Sequence, residues 1–310
     1  MYRIGIDLGG TNVAAGIIDE EYRLIATAST PTRSELGPEG IVGDMTTTIN
    51  NMLTMGGLRR EDCAGIGIGS PGNCDMEHGV VRNAHNLGWN GVPVCEMLQK
   101  STLLPVRLAN DADCAALGEV VAGAAKGGSG ALLVTLGTGV GTGLVIDGKI
   151  YAGSRSLGGE FGHMKIMMDG EACTCGQKGC WEAYASATAL IRQAKRAAEA
   201  HPESLLAKAE HIEGKTVFQA LAQGDAVADT VVKQYAAYVG VGLVNLINGL
   251  FPEAVLLGGG VAGAGEALLG PVREYVAANF FVADPALVPP IRKAELGNDA
   301  GIIGAAALWS

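Results

Sequence analysis

The chain has 310 residues, which is enough for two domains with a full hydrophobic core. Acidic residues outnumber basic ones by 32 to 22, and the resulting net charge of −10 argues against nucleic acid or an anionic membrane as a partner. The seven cysteines are an odd number, and four of them are scattered singly, which is typical of a reducing compartment and excludes a disulfide framework.

Short apolar segments alternate with segments of helical periodicity along the whole chain. The predicted strands are Tyr2–Ile6, Val13–Ile18, Leu24–Ala28, Gly65–Gly69, Val106–Ala109, Ala131–Leu136, Gly143–Ile146 and Ala254–Leu257. The predicted helices are Pro38–Met55, Asp111–Ala122, Trp181–Ala200, Asp225–Leu250, Glu266–Asn279 and Ala300–Trp309. This alternation predicts an α/β architecture. The sequence lacks a Pro- or Ser-rich linker, so we expect the domain boundary inside a hinge near residues 110–120.

Two glycine-rich turns have the same form, since each lies between two apolar strands. The first contains Asp7, Gly9, Gly10 and Thr11, and the second runs from Leu136 to Gly143 with the sequence LGTGVGTG. Glycine lets backbone amides approach an oxyanion closely, and threonine hydroxyls add donors. Two such turns that face one another would hold a nucleoside triphosphate, with Asp7 available to Mg²⁺ directly or through water. An ordinary tight hairpin is the alternative for either turn alone.

A third glycine pattern, Gly67 to Gly72, matches G-x-G-x-x-G after a predicted strand. A dinucleotide-binding fingerprint must then open a helix, with an acidic residue about 20 positions further on. Pro71 and a turn-rich segment follow instead, so we reject a dinucleotide-binding fold.

Asn110 and Asp111 follow the strand Val106–Ala109 and precede a predicted helix. A carboxylate at the carboxyl end of a strand points towards the ligand crevice of an α/β protein. The alternative is that Asp111 is only the N-cap of the helix, a position that aspartate favours.

The segment from His163 to Glu182 carries one histidine and three cysteines, Cys173, Cys175 and Cys180, with glycines between the sulfurs. Three thiolates and one imidazole suit tetrahedral Zn²⁺, and a site with four protein ligands is structural because no position stays open. Such a site would fix Glu160, His163 and Glu182 relative to one another. The alternative is three ordinary buried cysteines.

With these motifs in place, the chain resembles the ROK (repressor/ORF/kinase) family of sugar kinases, and within it the bacterial glucokinases above all. The resemblance rests on motifs in the family's order over nearly the whole chain: DLGGT (7–11), NLGW (86–89), LANDAD (108–113), LGTGVGTG (136–143), GGEFGH (158–163), CTCGQKGCWE (173–182), LGGGV (257–261) and LGNDAGIIGAA (296–306). Two departures from the family pattern are Asn12, where many relatives have lysine, and Thr142, where glycine is common.

The resemblance implies a two-domain actin-like ATPase (ribonuclease H-like) fold, with ATP and sugar in a cleft between the domains. The implied domains are 1–115 with a returning helix at 298–310, and 116–297 with the zinc loop. Asp111 would be the catalytic base. The implied sugar ligands are Gly72, Asn86, Asn110, Asp111, Glu160, His163 and Glu182. The implied nucleotide and phosphate contacts are Asp7, Gly9, Gly10, Thr11, Asn12, Gly137, Thr138, Gly139, Gly141 and Gly259. His163, Cys173, Cys175 and Cys180 would bind the structural zinc.

The function implied by the resemblance is ATP- and Mg²⁺-dependent phosphorylation of glucose at its 6-hydroxyl, with N-acetylmannosamine or another hexose as the alternative substrate. A sugar-responsive repressor of the same family would carry a DNA-reading domain, whereas here we expect the first strand at Tyr2. We expect no membrane partner, because we find neither a signal peptide nor an apolar stretch long enough to cross a bilayer. We also expect the protein to be cytoplasmic and to form a homo-oligomer, either a dimer or a tetramer.

Overall fold

A computed structural model describes residues 1–282 and 284–310 of the chain. Within these residues the strands are β1 (Tyr2–Leu8), β2 (Asn12–Ile18), β3 (Leu24–Pro31), β4 (Cys63–Ser70), β5 (Asn73–Asp75), β6 (Val80–Ala84), β7 (Trp89–Val92), β8 (Val106–Asn110), β9 (Ala131–Leu136), β10 (Val140–Ile146), β11 (Lys149–Ile150), β12 (Val255–Gly258) and β13 (Ile291–Lys293). The helices are α1 (Gly37–Met55), α2 (Val94–Thr102), α3 (Asp111–Val121), α4 (Glu182–Ala185), α5 (Ala187–Ala200), α6 (Leu205–Lys208), α7 (Gly214–Ala222), α8 (Ala226–Leu250), α9 (Gly259–Ala262), α10 (Glu266–Asn279) and α11 (Asp299–Ala307). The predicted α/β alternation is confirmed.

The strands form three sheets, with the orders β3-β2-β1-β4-β8, β11-β10-β9-β12-β13 and β5-β6-β7. Contacts divide the chain into two compact units. Unit 1 contains Met1–Ala131, Gly143–Gly159 and Glu295–Ser310, and unit 2 contains Leu132–Thr142 and Glu160–Ala294. This division differs from the sequence-based one chiefly in assigning residues 116–131 and 143–159 to unit 1.

The first sheet sets the geometry of unit 1. Strand β1 is antiparallel to β2 but parallel to β4, and β4 is parallel to β8. The core on this sheet is aliphatic, with Ile4, Ile6, Ile66 and Ile68 fully buried. Because the three parallel strands end at the same edge of the sheet, the residues that follow β1, β4 and β8 lie together there.

Helix α11 packs directly on β1, β4 and α3, because small residues let the backbones approach. A Cβ at Gly5 would lie 1.9 Å from the carbonyl oxygen of Ile302, and a Cβ at Gly67 would lie 1.8 Å from that of Ala305. The contact with α3 is equally close, since a Cβ at Gly304 would lie 1.6 Å from the carbonyl oxygen of Cys114. The last helix is therefore an integral layer of unit 1.

In unit 2 the prediction missed α6, α7, α9 and β13, and it was wrong about the continuity of one helix. We predicted a single helix over Trp181–Ala200, but the structure has two, α4 and α5, separated at Ser186. The Ser186 hydroxyl accepts a hydrogen bond from the amide of Ala189 (3.1 Å), so it caps α5 and favours a new helix start over continuation.

The longest helix, α8, has one segment that meets the length and apolarity required to cross a membrane, which our sequence analysis did not identify. In that most apolar window, 56% of the residues are buried, including Tyr235 and Leu243. Burial of this kind is typical of the core helix of a folded domain. Asp225 begins the helix by accepting hydrogen bonds from the amides of Val227 and Ala228.

Candidate active site and metal cluster

The first glycine turn joins β1 to β2 and is closed by hydrogen bonds. The amide of Gly9 donates to the carbonyl of Asn12 (2.9 Å), and a Cβ at Gly9 would lie only 2.8 Å from that oxygen. Thr32, a residue that sequence reasoning missed, supports the turn from the end of β3. Its hydroxyl donates to the Gly9 carbonyl (2.7 Å), and its amide donates to the Thr11 carbonyl (2.9 Å). Thr11 and Asn12 are exposed at the tip of this braced turn.

Asp7 precedes this turn and lies in a partly buried, acidic environment. Burial, and after it the negative charge of Asp111, raises the pKa of Asp7 from 3.8 to about 6. Gly301 of α11 leaves room for the carboxylate, because a Cβ there would lie 2.8 Å from both Cγ and Oδ2 of Asp7. Two carboxylates held this close favour a bound cation.

Asn110, and not Asp111, is the N-cap of α3. The Asn110 Oδ1 accepts hydrogen bonds from the amides of Ala112 (2.8 Å) and Asp113 (3.4 Å). Asp111 is the first helical residue, and its Oδ1 also accepts from the Ala112 amide (2.8 Å). The N-cap assignment for Asp111 is therefore wrong, and its carboxylate lies in the first turn, at the electropositive helix start.

Two further predicted residues lie near these groups in unit 1. The Nδ2 of Asn110 donates to the carbonyl of Gly72 (3.1 Å), and Gly72 itself has a φ of +81°. Asn86 lies beside the first turn, because a Cβ at Gly10 would be 3.0 Å from the Asn86 Nδ2. Unit 1 thus brings together the first turn, Asn86, Gly72 and the pair of carboxylates.

The second glycine turn joins β9 to β10, and Glu182 supports it. The amide of Gly137 donates to the carbonyl of Gly139 (3.0 Å), and the amide of Val140 donates to Oε2 of Glu182 (3.1 Å). A Cβ at Gly139 would lie 2.4 Å from that carboxylate oxygen, so a larger residue there would displace the Glu182 side chain. On the other side, the Thr138 carbonyl accepts the hydroxyl hydrogen bond of Thr188 (2.9 Å).

Gly259 lies against β9, at the end of β12. Its φ is +78°, and a Cβ there would approach the backbone of Leu136 to 2.6 Å. The Gly141 carbonyl, in the second turn, accepts a hydrogen bond from the Thr135 hydroxyl (3.2 Å). A cavity of about 550 Å³ opens next to Gly260. Its lining is mainly apolar and includes Phe218, Gln219, Gly260, Val261 and Ala264.

The predicted metal ligands come together. One ligand atom from each of His163, Cys173, Cys175 and Cys180 lies within 4.8 Å of all the others. The Nδ1 of His163 is 3.7 Å from Sγ of Cys173, and the sulfurs of Cys175 and Cys180 are also 3.7 Å apart. Gly179 permits the fold of this loop, since its φ is +75° and a Cβ would lie 1.6 Å from the carbonyl oxygen of Met167. One nitrogen and three sulfur donors at this separation fit a tetrahedral ion.

The surroundings of the cluster favour the thiolate at some of its cysteines and disfavour it at another. The Nζ of Lys165 lies 3.1 Å from Sγ of Cys180, which no sequence motif indicated. Burial raises the pKa of Cys173 to about 12, whereas a hydrogen bond from the backbone of Gln177 is the main cause that lowers the pKa of Cys175. A divalent ion would deprotonate these thiols on binding.

Glu182 connects the cluster to the second turn. While its Oε2 accepts the Val140 amide, its Oε1 accepts the hydroxyl of Thr174 (2.9 Å) and lies 3.4 Å from Sγ of Cys173. Thr174 was missed by sequence reasoning, although its place between two cysteines is a usable signal. Glu160 is exposed and precedes the short helical turn that contains His163. Unit 2 therefore brings the cluster, Glu182 and the second turn together.

The ROK family model matches residues 3–310. The chain belongs to the ROK family. A glucokinase of Halalkalibacterium halodurans is 39% identical over 308 residues, covering 97% of this chain and 92% of the relative. Among solved structures, a ROK hexokinase from Thermus thermophilus has a TM-score of 0.82 at 37% identity, covering 99% of this chain and 97% of that one. A ROK glucokinase from Streptomyces griseus in complex with glucose and AMPPNP has a TM-score of 0.81 at 36% identity, with 99% of both chains covered. The fold of this ROK protein is accordingly the two-domain actin-like ATPase fold.

Proposed function

We propose that this chain transfers the γ-phosphoryl group of ATP to the 6-hydroxyl of glucose, with Asp111 as the general base. That the chain is a sugar kinase follows from full-length relatives that are glucokinases and from the ROK glucokinase structure. The observation that carries the finer proposal is the proximity of Asp111 and Asp7 at the edge where the parallel strands of unit 1 end.

Asp111 is suited to accept a proton from a hydroxyl group. It opens α3 directly after β8, and Asn110 supplies the helix cap, so the cap does not depend on Asp111. A sugar hydroxyl is a weak nucleophile, and a base within hydrogen-bond reach accelerates its attack by roughly 10²–10⁴-fold. The amide of Ala112 holds the carboxylate in place through Oδ1.

Asp7 is suited to neutralise charge on the phosphoryl donor through a cation. Burial and, after it, the charge of Asp111 raise the pKa of Asp7, so both disfavour its negative charge, and bound Mg²⁺ would supply a compensating positive charge. The residues of the first turn, Gly9, Gly10, Thr11 and Asn12, would bind phosphate oxygens, and so would Gly137, Thr138, Gly139 and Gly141 of the second turn. Phosphoryl transfer depends mainly on such positioning and charge stabilisation.

The cavity beside Gly260 supports ATP over polyphosphate as the donor. It is mainly apolar and about 550 Å³ in volume, which suits an adenosine group, whereas a polyphosphate chain would gain nothing from it. The AMPPNP complex of the Streptomyces griseus relative supports the same donor. Gly259, whose positive φ holds this segment against β9, would lie next to the nucleoside.

For the sugar we propose Gly72, Asn86, Asn110, Asp111, Glu160, His163 and Glu182 as ligands. Several fixed acceptors are needed to recognise a polyol, and carboxylates supply them. The assignment of Glu182 as a sugar ligand is supported by its carboxylate, which is half-buried and held in one orientation by hydrogen bonds. Asn110 has part of its amide engaged in capping α3, so its remaining N–H would serve the sugar.

We further propose that the cluster of His163, Cys173, Cys175 and Cys180 binds one structural Zn²⁺. The donor set and the 4.8 Å limit on its separations support this. The ion would fold the loop and set the orientation of His163 and Glu182. We also propose that the enzyme is a cytoplasmic homo-oligomer, which light scattering of the purified protein would test.

The test is a coupled assay of kcat/KM for glucose, mannose and N-acetylmannosamine under identical ATP and Mg²⁺ concentrations, repeated with polyphosphate as donor. We expect glucose with ATP to give the highest value. A site that hydrogen-bonds a free 2-hydroxyl leaves polar groups unpaired without it, and such sites discriminate by roughly 10⁴-fold or more. If N-acetylmannosamine is the best substrate, the chain is an N-acetylmannosamine kinase. If no sugar is phosphorylated, a sugar-binding regulator of the same family replaces the kinase.

A further inference from the structure

Glu119 is a fully buried carboxylate for which the proposed reaction has no use. It lies on α3, two turns after Asp111, and none of its surface is exposed. An ionisable side chain is seldom buried so completely unless its charge is compensated by hydrogen bonds or counter-ions. Here the compensation comes from the backbone.

Three backbone amides donate to this carboxylate. Oε2 accepts from the amides of Ala124 (2.8 Å) and Glu295 (3.2 Å), and Oε1 accepts from the amide of Leu296 (2.8 Å). Gly123 makes room for the arrangement, because a Cβ there would lie 2.1 Å from Oε2. Glu119 thus fixes the segment where the chain leaves α3 and the segment where residues 295–310 return to unit 1.

The returning segment leads directly into α11. The N-cap residue, Asn298, makes no side-chain capping hydrogen bond, so the helix start lacks the usual anchor. Instead, the amide of Asp299 donates to the carbonyl of Leu296 (3.1 Å), the same residue whose amide Glu119 holds. Gly301, two residues further on, is the position that approaches the Asp7 carboxylate.

We propose that Glu119 is a positioning residue: by holding Glu295 and Leu296 it sets where α11 begins, and thereby holds Gly301 against Asp7. The expected influence of Glu119 on the reaction rests on the proposed kinase function, because in that proposal Asp7 acts on the phosphoryl donor. Glutamine cannot replace it fully. An amide offers one acceptor oxygen, and its NH₂ group would face at least one backbone N–H that Glu119 now satisfies.

The test compares Glu119→Gln with Asp225→Asn. Asp225 is a matched control in unit 2, since its carboxylate also accepts three backbone amides, those of Leu205, Val227 and Ala228. At a temperature where both variants are folded, we expect Glu119→Gln to lower kcat by about tenfold or more and to raise KM for MgATP, with KM for glucose within about twofold of wild type. Asp225→Asn should leave both kcat and the KM for MgATP unchanged. Hydrogen exchange should accelerate at residues 295–302 in Glu119→Gln alone.

Near-wild-type kcat in a folded Glu119→Gln, or equal kinetic losses in both variants, would overturn the proposal. If wild type phosphorylates no sugar, the proposed function fails, but the exchange comparison still decides whether Glu119 holds α11. If Glu119→Gln does not accumulate, hydrogen exchange in the wild-type protein provides the test, read at the amides of Ala124, Glu295 and Leu296. Exchange only on global unfolding supports the anchor, and exchange within minutes contradicts it.

Discussion

Asp111 lies close enough to Asp7 for its negative charge to raise the pKa of Asp7, in addition to the larger effect of burial. The two residues belong to parallel strands of the same sheet: Asp7 lies near the end of β1, and Asp111 directly follows β8. Because Asp7 is ionised at neutral pH despite its burial and the nearby charge of Asp111, its carboxylate lowers the stability of the folded domain at that pH. Such an arrangement is typical of a functional site.

The first prediction concerns stability and pH. Because the pKa of Asp7 is about 6 in the folded protein and near 3.8 when unfolded, the folded state binds more protons between these values. The free energy of unfolding should therefore fall as pH rises from about 4 to about 6, by at most about 3 kcal/mol from this group. Urea unfolding without Mg²⁺ and nucleotide measures it. Asp7→Asn should remove that fall, and Asp111→Asn should reduce it; an Asp7→Asn variant with the wild-type pH slope would contradict us.

The second prediction separates catalysis from binding. Asp111→Asn should remain folded and bind glucose, while kcat falls by at least roughly 10²-fold, because the amide cannot accept the proton. Calorimetric titration with glucose provides the binding control. Retention of nearly full kcat would mean that the base lies elsewhere.

The third prediction concerns the metal. Protein purified without chelator should contain about one zinc per chain, and Cys175→Ser should lose it and become less stable. Cys63→Ser is the control, since Cys63 is a buried cysteine of unit 1 and should leave the zinc content unchanged. Elemental analysis of the wild type and the two variants measures the zinc content per chain. Wild-type protein that contains no zinc would contradict the proposed metal site.

The fourth prediction uses two glycines in helices. In Gly301→Ala the new methyl group would lie 2.8 Å from the Asp7 carboxylate, so we expect lower kcat and a loss of about 1–3 kcal/mol in stability. Gly43, in the middle of α1, gives a matched control, because a Cβ added there would meet no atom within 4 Å. Gly43→Ala should stabilise the protein by about 0.5–1 kcal/mol and leave kcat unchanged. Thermal unfolding and the glucose assay on both variants check this, and equal effects would refute it.

The sequence predicted the parts of the fold that depend on local periodicity. Helix α1 and strand β9 fall where their apolar patterns indicate, because each buries one regular set of side chains. The three-stranded sheet β5-β6-β7 was missed, since its strands are short and partly polar. The break at Ser186 was also missed, because both sides of it are good helix formers and only the capping hydrogen bond reveals it.

For the candidate site, the sequence indicated residues whose chemistry is visible in a motif, such as the three clustered cysteines. It did not indicate the support of those residues by partners distant in sequence. Thr32 braces the first turn from 23 positions away, and Glu119 holds an amide 177 positions away. Such contacts depend on tertiary packing, which no local pattern encodes.

The place of α11 in unit 1 has a consequence for the order in which the chain folds during synthesis. Residues 160–294 form a continuous run within unit 2, whereas the first sheet of unit 1 receives its covering helix α11 only after that run has been synthesised. Until α11 is synthesised, the glycine-lined face of β1 and β4 lacks its covering helix, even though the residues of unit 2 have already been translated. Synthesis of unit 1 thus begins before that of unit 2 but is completed after it, which differs from the usual order in which an N-terminal domain is complete first.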